Sequence, residues 1–194
     1  MRSDPDHAKL CWPIRCERNR PLSGRGRSVL WHVVPRAAED PSGVVEVRAG
    51  IFGFFDLAMA GIGVCCIEDI ALSVLATGIS HQHNKGWILA DAGWMAMARD
   101  CGAAKHEVDQ GYGLVCDLSA NPYRNVIVSE CSLEPGIMTI RPGSLGMPPD
   151  LAIGRRARNL PNHSCATGAQ HDRYHVVNGS ANLWTAIWPH FGGW

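Results

Sequence analysis

The chain has 194 residues, 46% hydrophobic and 19% charged, enough to bury a real core in what is expected to be one domain. Its 18 basic and 18 acidic side chains cancel, which excludes a global field that would recruit nucleic acid or a membrane surface. The balance is uneven: residues 1–28 hold seven basic and three acidic side chains, leaving 11 against 15, a net of −4, on residues 29–194.

Residues 1–28 show no sustained hydrophobic period and read as an irregular basic leader; without interleaved aromatics they do not suggest nucleic-acid binding. From Val29 the pattern changes. Val29–Val34 and the alternating Val44–Ala49 predict strands. Ile51–Ile67 is apolar but falls short of the ~20 residues that span a membrane and contains Asp56 and three glycines, so it is read as a buried strand, a turn and a second apolar piece. Val64–Leu75 is ambiguous between helix and strand. Further strands are expected at Ala71–Ser80, Gly86–Asp91, Gly113–Asp117, Asn125–Ser129, Ala152–Asn159, Tyr174–Val177 and Leu183–Trp188, separated by Gly, Pro, Asn and Asp clusters. Long helices are missing, and regularly spaced short strands predict a mainly β fold, an antiparallel barrel or sandwich with one or two short helices.

Eight cysteines without a framework spacing, and no apolar run behind Met1, predict a reduced, cytoplasmic protein whose cysteines act as small buried hydrophobes. Cys11 and Cys16, with His7 nearby, match no zinc spacing. His81 and His83 form an i, i+2 pair in a stretch that reads as a solvated loop, while His171 and His175 are expected in hydrogen bonds near a site or at the surface.

The most informative stretch is Pro161–His175. His163 and Cys165 are transition-metal donors two residues apart. Residues two apart do not share a helix face, but they point to one side of an extended segment. Leu160–Cys165 is therefore expected to end a strand, with a short helix starting near Ala166. Taken alone, such a pair is more often a packed histidine and a buried cysteine than a metal site.

Several blocks in one order resemble a known family: Glu46–Gly50, Lys85–Trp94 running on to Asp100, Asp109–Val115, and Pro161–Val177. Together they resemble the C-terminal domain of the pyridoxal-phosphate-dependent, fold-type III D-threonine aldolases and D-serine dehydratases, over about residues 29–194. The resemblance implies a β domain like that of alanine-racemase-like enzymes, with His163 and Cys165 as ligands of a divalent ion, zinc or manganese. The family's cofactor-bearing barrel has no counterpart, and Lys9, Lys85 and Lys105 lie in no motif like that of its cofactor lysine. Gly24 and Gly26 resemble a degraded remnant of the loop that holds the cofactor phosphate there. Phe52 stands where many relatives have tyrosine, and Pro135 replaces a family histidine. No catalytic residue is assigned.

What this implies is the metal-binding domain of a lyase for small D-amino acids, inactive alone. Pyridoxal phosphate would enter only with a barrel, supplied by a separately encoded chain or met across a homodimer. A non-catalytic metal-binding or interaction domain is the alternative, and a fragment of a broken reading frame a third.

Overall fold

The computed structural model describes residues 27–31, 44–49, 51–102, 107–178 and 184–191, with backbone alone for 27–31, 44–49 and 52. Gly24, Gly26, Cys11, Cys16 and the Phe52 side chain lie outside the described residues.

Six antiparallel strands close into a barrel in the order β3-β4-β7-β6-β5-β8. They are β3 (Val74–Gln82), β4 (Trp87–Ala90), β5 (Gly113–Cys116), β6 (Pro122–Cys131), β7 (Gly136–Ile140) and β8 (Arg156–Pro161). A parallel pair, β1 (Arg27–Trp31) with β2 (Val44–Ala49), precedes them, and an antiparallel pair, β9 (Arg173–Val177) with β10 (Trp184–Pro189), follows. The fold is mainly β, as its sequence implies. The α-helices among the described residues are three and short: α1 (Leu57–Gly61), α2 (Trp94–Met97) and α3 (Ser164–Gly168). None is long and apolar enough to cross a membrane.

Strand alternation builds two apolar layers. Val74 and Ala76 of β3, Val126 and Val128 of β6, Met138 of β7 and Ala157 of β8 fill the barrel. The alternate residues Leu114, Cys116, Ile127 and Leu160 face outward, where Leu57 of α1 covers them. β5 is consequently buried at all four positions. Burial pushes the Cys116 thiol up to about 12, and burial with Asp69 nearby does the same for Cys65. These two are the inert, core-filling cysteines the sequence suggests, whereas Cys66 and Cys165 are exposed.

The segment from Ile51 departs from its strand reading. A 3-10 turn at Ile51–Gly53 leads to α1, because Asp56 is an N-cap whose Oδ1 accepts from Met59 N–H at 2.9 Å. Leu57-Ala58-Met59-Ala60 behind that cap are good helix formers, and they outweigh the flanking β-branched residues. Residues 67–69 form a second 3-10 turn, and β3 then starts at Val74, so the helical option for Val64–Leu75 is met only locally. β3 runs through Gln82, which takes His81 out of the expected loop: its Nε2 bonds the Leu151 carbonyl at 2.5 Å and its ring stacks on His83 at 5.3 Å.

The β5–β6 turn carries one correctable strain. Asp117 Oδ1 accepts from the N–H groups of Ser119 and Asn121, and these bonds, with the Asn121 side chain foremost, hold its carboxyl below the usual range. Ala120 completes the turn at φ 65°, exposed. A left-handed conformation costs a residue with a Cβ roughly 1–2 kcal/mol, while glycine loses about 0.4–1 kcal/mol through its freer unfolded chain. Ala120→Gly is therefore expected to stabilise the protein by about 0.5 kcal/mol, read as a higher urea midpoint at unchanged m.

Candidate metal-binding site

β8 delivers the candidate ligands, and its end is written in its sequence. Pro161 has no N–H to continue a ladder, so the strand stops there. Asn162 then anchors the exit. Its side-chain amide donates to the Gly111 carbonyl, and its own carbonyl accepts from Ala58 N–H of α1 at 3.2 Å. Gly111 permits this approach because it lies at φ 57° and a Cβ there would collide with the Val128 carbonyl oxygen.

His163 is the N-cap of α3, extended at φ −140° and ψ 106°, and Cys165 is the second residue of the helix. This corrects the expectation of an extended chain through Cys165 with a helix from about Ala166: the strand ends four residues earlier than Cys165, and the helix begins at Ser164. The cause is remote in sequence. Asp56, fully buried, uses Oδ2 to accept the Ser164 N–H at 2.9 Å, supplying from α1 the cap that the His163 side chain does not provide. One carboxylate thus caps two helices. The pair straddles the helix start, with Cys165 exposed in the first turn.

The His163 ring is held by a second carboxylate. Its Nδ1 lies 2.7 Å from Asp100 Oδ2, each side chain about one-third exposed. An ionised carboxylate only accepts, so Nδ1 carries the proton and Nε2 keeps its lone pair in the neutral ring. Asp100 follows α2, and α2 is tied to α3: Thr167 Oγ1 donates to the Met97 carbonyl at 2.8 Å, and His171 Nε2 donates to the Ala96 carbonyl at 3.0 Å. His171 thus meets the expectation of a hydrogen bond near the site. His175 instead packs edge-on against Trp184, 5.9 Å between centroids. Beyond Asp100, burial raises both the Cys101 thiol and the Tyr112 hydroxyl above their usual values. Tyr174 packs between Phe54 at 5.3 Å and His190 at 5.5 Å, each ring tilted by 43° to its own. Burial, with the nearby Cys165 thiol second, raises its hydroxyl.

Among the described residues, no three His, Cys, Asp or Glu side chains gather as a ready metal cage. What the loop offers is one partly exposed imidazole and one exposed thiol. Lys85 lies over the Trp87 ring at 4.4 Å, at the surface. Asp109 serves a turn, as its glycine-rich surroundings suggest, its Oδ1 accepting from Gly111 N–H at 2.8 Å, whereas Asp91 ties the end of β4 to β3, its Oδ1 accepting from Thr77 N–H at 2.6 Å. Asp56 and Asp100 carry no site role in the sequence reading. Asp56 had a usable signal, a capping residue before a run of helix formers, whereas nothing local marks the pairing of Asp100 with a histidine 63 positions on.

Residues 71–177 match the family model of a putative serine dehydratase domain. The chain is 47% identical over 162 residues to D-threo-3-hydroxyaspartate dehydratase of Delftia sp. strain HT23, covering 81% of this chain and 42% of that one. The solved structure of the Delftia enzyme is similar at a TM-score of 0.73, with 46% identity and the same coverage. That enzyme has also been solved with alanine in place of a cysteine, in a metal-free form, and with alanine in place of a histidine two positions earlier. D-serine dehydratase of Dictyostelium discoideum is 30% identical over 150 residues, 76% of this chain and 37% of that one. An alanine-racemase-like protein from Idiomarina loihiensis gives a TM-score of 0.69 at 41% identity, covering 80% and 41%. The chain spans about two fifths of the length of these relatives.

Proposed function

This chain belongs to the serine dehydratase domain family, and on that premise we propose that it is the metal-binding part of a dehydratase for small D-amino acids bearing a β-hydroxyl, with His163 and Cys165 as its protein ligands. The substrate class follows from what the relatives' names share: D-serine and D-threo-3-hydroxyaspartate both carry a hydroxyl on the carbon next to the α-carbon. The dehydratase branch is favoured over the aldolase branch by those names.

The observation that carries the reading is the His163–Asp100 bond. It leaves Nε2 as a lone-pair donor, two residues from an exposed thiol. The substituted histidine and cysteine of the Delftia enzyme stand at the same spacing, and its cysteine variant was solved in a metal-free form. An imidazole and a thiolate suit zinc better than manganese, which prefers oxygen donors. Two protein ligands leave positions for water and substrate, the pattern of a catalytic ion. Such an ion supplies Lewis-acid stabilisation of a departing hydroxyl. The chain's own residues hold and orient: Asp56 and Asn162 fix the backbone of the ligand loop, and Asp100 fixes the ring. The pyridoxal-phosphate chemistry is assigned to a barrel supplied from outside the matched region, since Lys85 lies exposed at the surface and in no motif like that of the family's cofactor lysine.

The test is calorimetric titration of the chelator-stripped chain with zinc and with manganese. One zinc per chain is expected, tighter than manganese, and lost in His163→Ala and in Cys165→Ala. D-serine turnover by the chain alone is expected to be absent. Zinc uptake that survives both substitutions would remove these residues as the site.

A further inference from the structure

We infer that Asp100 is the positioning residue for His163, so that a complete metal-binding device, ligands and their orienting carboxylate, is built into this domain. The inference rests on the reading of His163 and Cys165 as ligands and adds what makes that site competent without a barrel.

Imidazole can carry its single proton on either nitrogen, and the hydrogen bond made by one nitrogen decides which is left to bind metal. Here Asp100 Oδ2 stands 2.7 Å from Nδ1, and the partners are partly sheltered rather than fully solvated. The contact is not an accident of two mobile side chains. α2 is bolted to α3 through Thr167 on Met97 and His171 on Ala96, so the stem of Asp100 and the base of His163 belong to one unit. Between that stem and Asp100 the chain makes an enforced turn: Ala98, buried, sits at φ 64° and ψ 173°, a region normally left to glycine. Such a conformation persists only where its surroundings over-determine it, and here it turns the chain from α2 toward Asp100. Beside Asp100, Arg99 packs over the Trp94 ring at 5.4 Å. Every one of these restraints comes from residues 94–171 of this chain.

The test uses the full chain stripped of metal, as wild type, Asp100→Ala and Asp100→Asn. Zinc affinity is read by competition with a chromophoric chelator, and the His163 tautomer by long-range 1H–15N NMR on the metal-free neutral ring. Wild type is expected to show the Nδ1–H tautomer. Asp100→Ala should move it to Nε2–H and weaken zinc about 10–100-fold, with the thermal midpoint little changed. Asp100→Asn, whose amide oxygen still accepts from Nδ1–H, should keep the wild-type tautomer and recover part of the affinity. An Nε2–H tautomer in wild type overturns the inference without any variant, as does unaltered zinc affinity in Asp100→Ala. A wild type that takes up no zinc overturns instead the ligand reading on which it rests.

Discussion

Asp56→Ala is expected to cost about 3–5 kcal/mol, a large part of the roughly 5–15 kcal/mol that holds a domain together. Asp56 is fully buried and its two oxygens each accept one backbone N–H at 2.9 Å, Met59 at the start of α1 and Ser164 at the start of α3. Losing an N-cap costs roughly 0.5–2 kcal/mol, and each N–H left buried without a partner adds about 1–3 kcal/mol. Asp56→Asn should fall between, since the amide keeps one acceptor and turns a donor toward the other N–H. Urea unfolding measures the totals. Native-state hydrogen exchange locates them: the Ser164 amide, 108 positions from the substitution, should lose protection in step with Met59. A loss below about 1 kcal/mol, small enough for an ordinary surface substitution, would mean that another group caps α3.

The way Asp56 acts also marks where the sequence stops being readable. Strands whose signal is local were legible. β3, β4, β5 and β9 fall within or beside their expected ranges, because alternation between turn residues is a property of the segment itself. β8 is displaced, expected at Ala152–Asn159 and found at Arg156–Pro161, because Gly154 at φ 84° turns the chain first. β7 was not anticipated, although Gly136–Ile140 alternates. Its five residues are framed by Pro135 and Pro142, and only pairing with β4 and β6 identifies them as a strand. The candidate ligand pair, His163 and Cys165, is picked out by residue type, spacing and resemblance. Its surroundings are not. The cap from Asp56, the clamp from Asn162 onto Gly111 and the bond from Asp100 each join segments more than 50 positions apart. A period of two or 3.6 residues carries no trace of them. The solvated-loop reading of His81 and His83 holds for His83, exposed in the turn after β3, and fails for His81, because the carbonyl that draws it inward lies on a distant loop at Leu151.

Gly93→Ala is the second substitution expected to be severe, again near 3–5 kcal/mol, for a reason unrelated to backbone freedom. Gly93 has an ordinary extended conformation, φ −86° and ψ −162°. What it lacks is a Cβ, which would sit 2.5 Å from the Ser132 oxygen and 2.6 Å from the Glu134 carbonyl group. Those neighbours are backbone and cannot rotate away. They are close because α2 has no side-chain cap. Its start is capped by another loop: Gly93, Trp94 and Met95 donate to the carbonyls of Glu134, Ser132 and Leu133 at 2.5, 3.0 and 3.2 Å. A methyl group must push the two segments apart, at about 1–3 kcal/mol of overpacking, and weaken three hydrogen bonds worth about 1 kcal/mol each. Gly53→Ala is the control, since a Cβ there meets nothing within 4 Å, and its effect should stay within about 0.5 kcal/mol. Because α2 carries the stem of Asp100, the damage should also reach the metal. In Gly93→Ala, zinc affinity and thermal midpoint should fall together, whereas Asp100→Ala should lower the affinity and leave the midpoint. If Gly93→Ala lowered the midpoint and spared zinc binding, α2 would not be what holds Asp100 against His163.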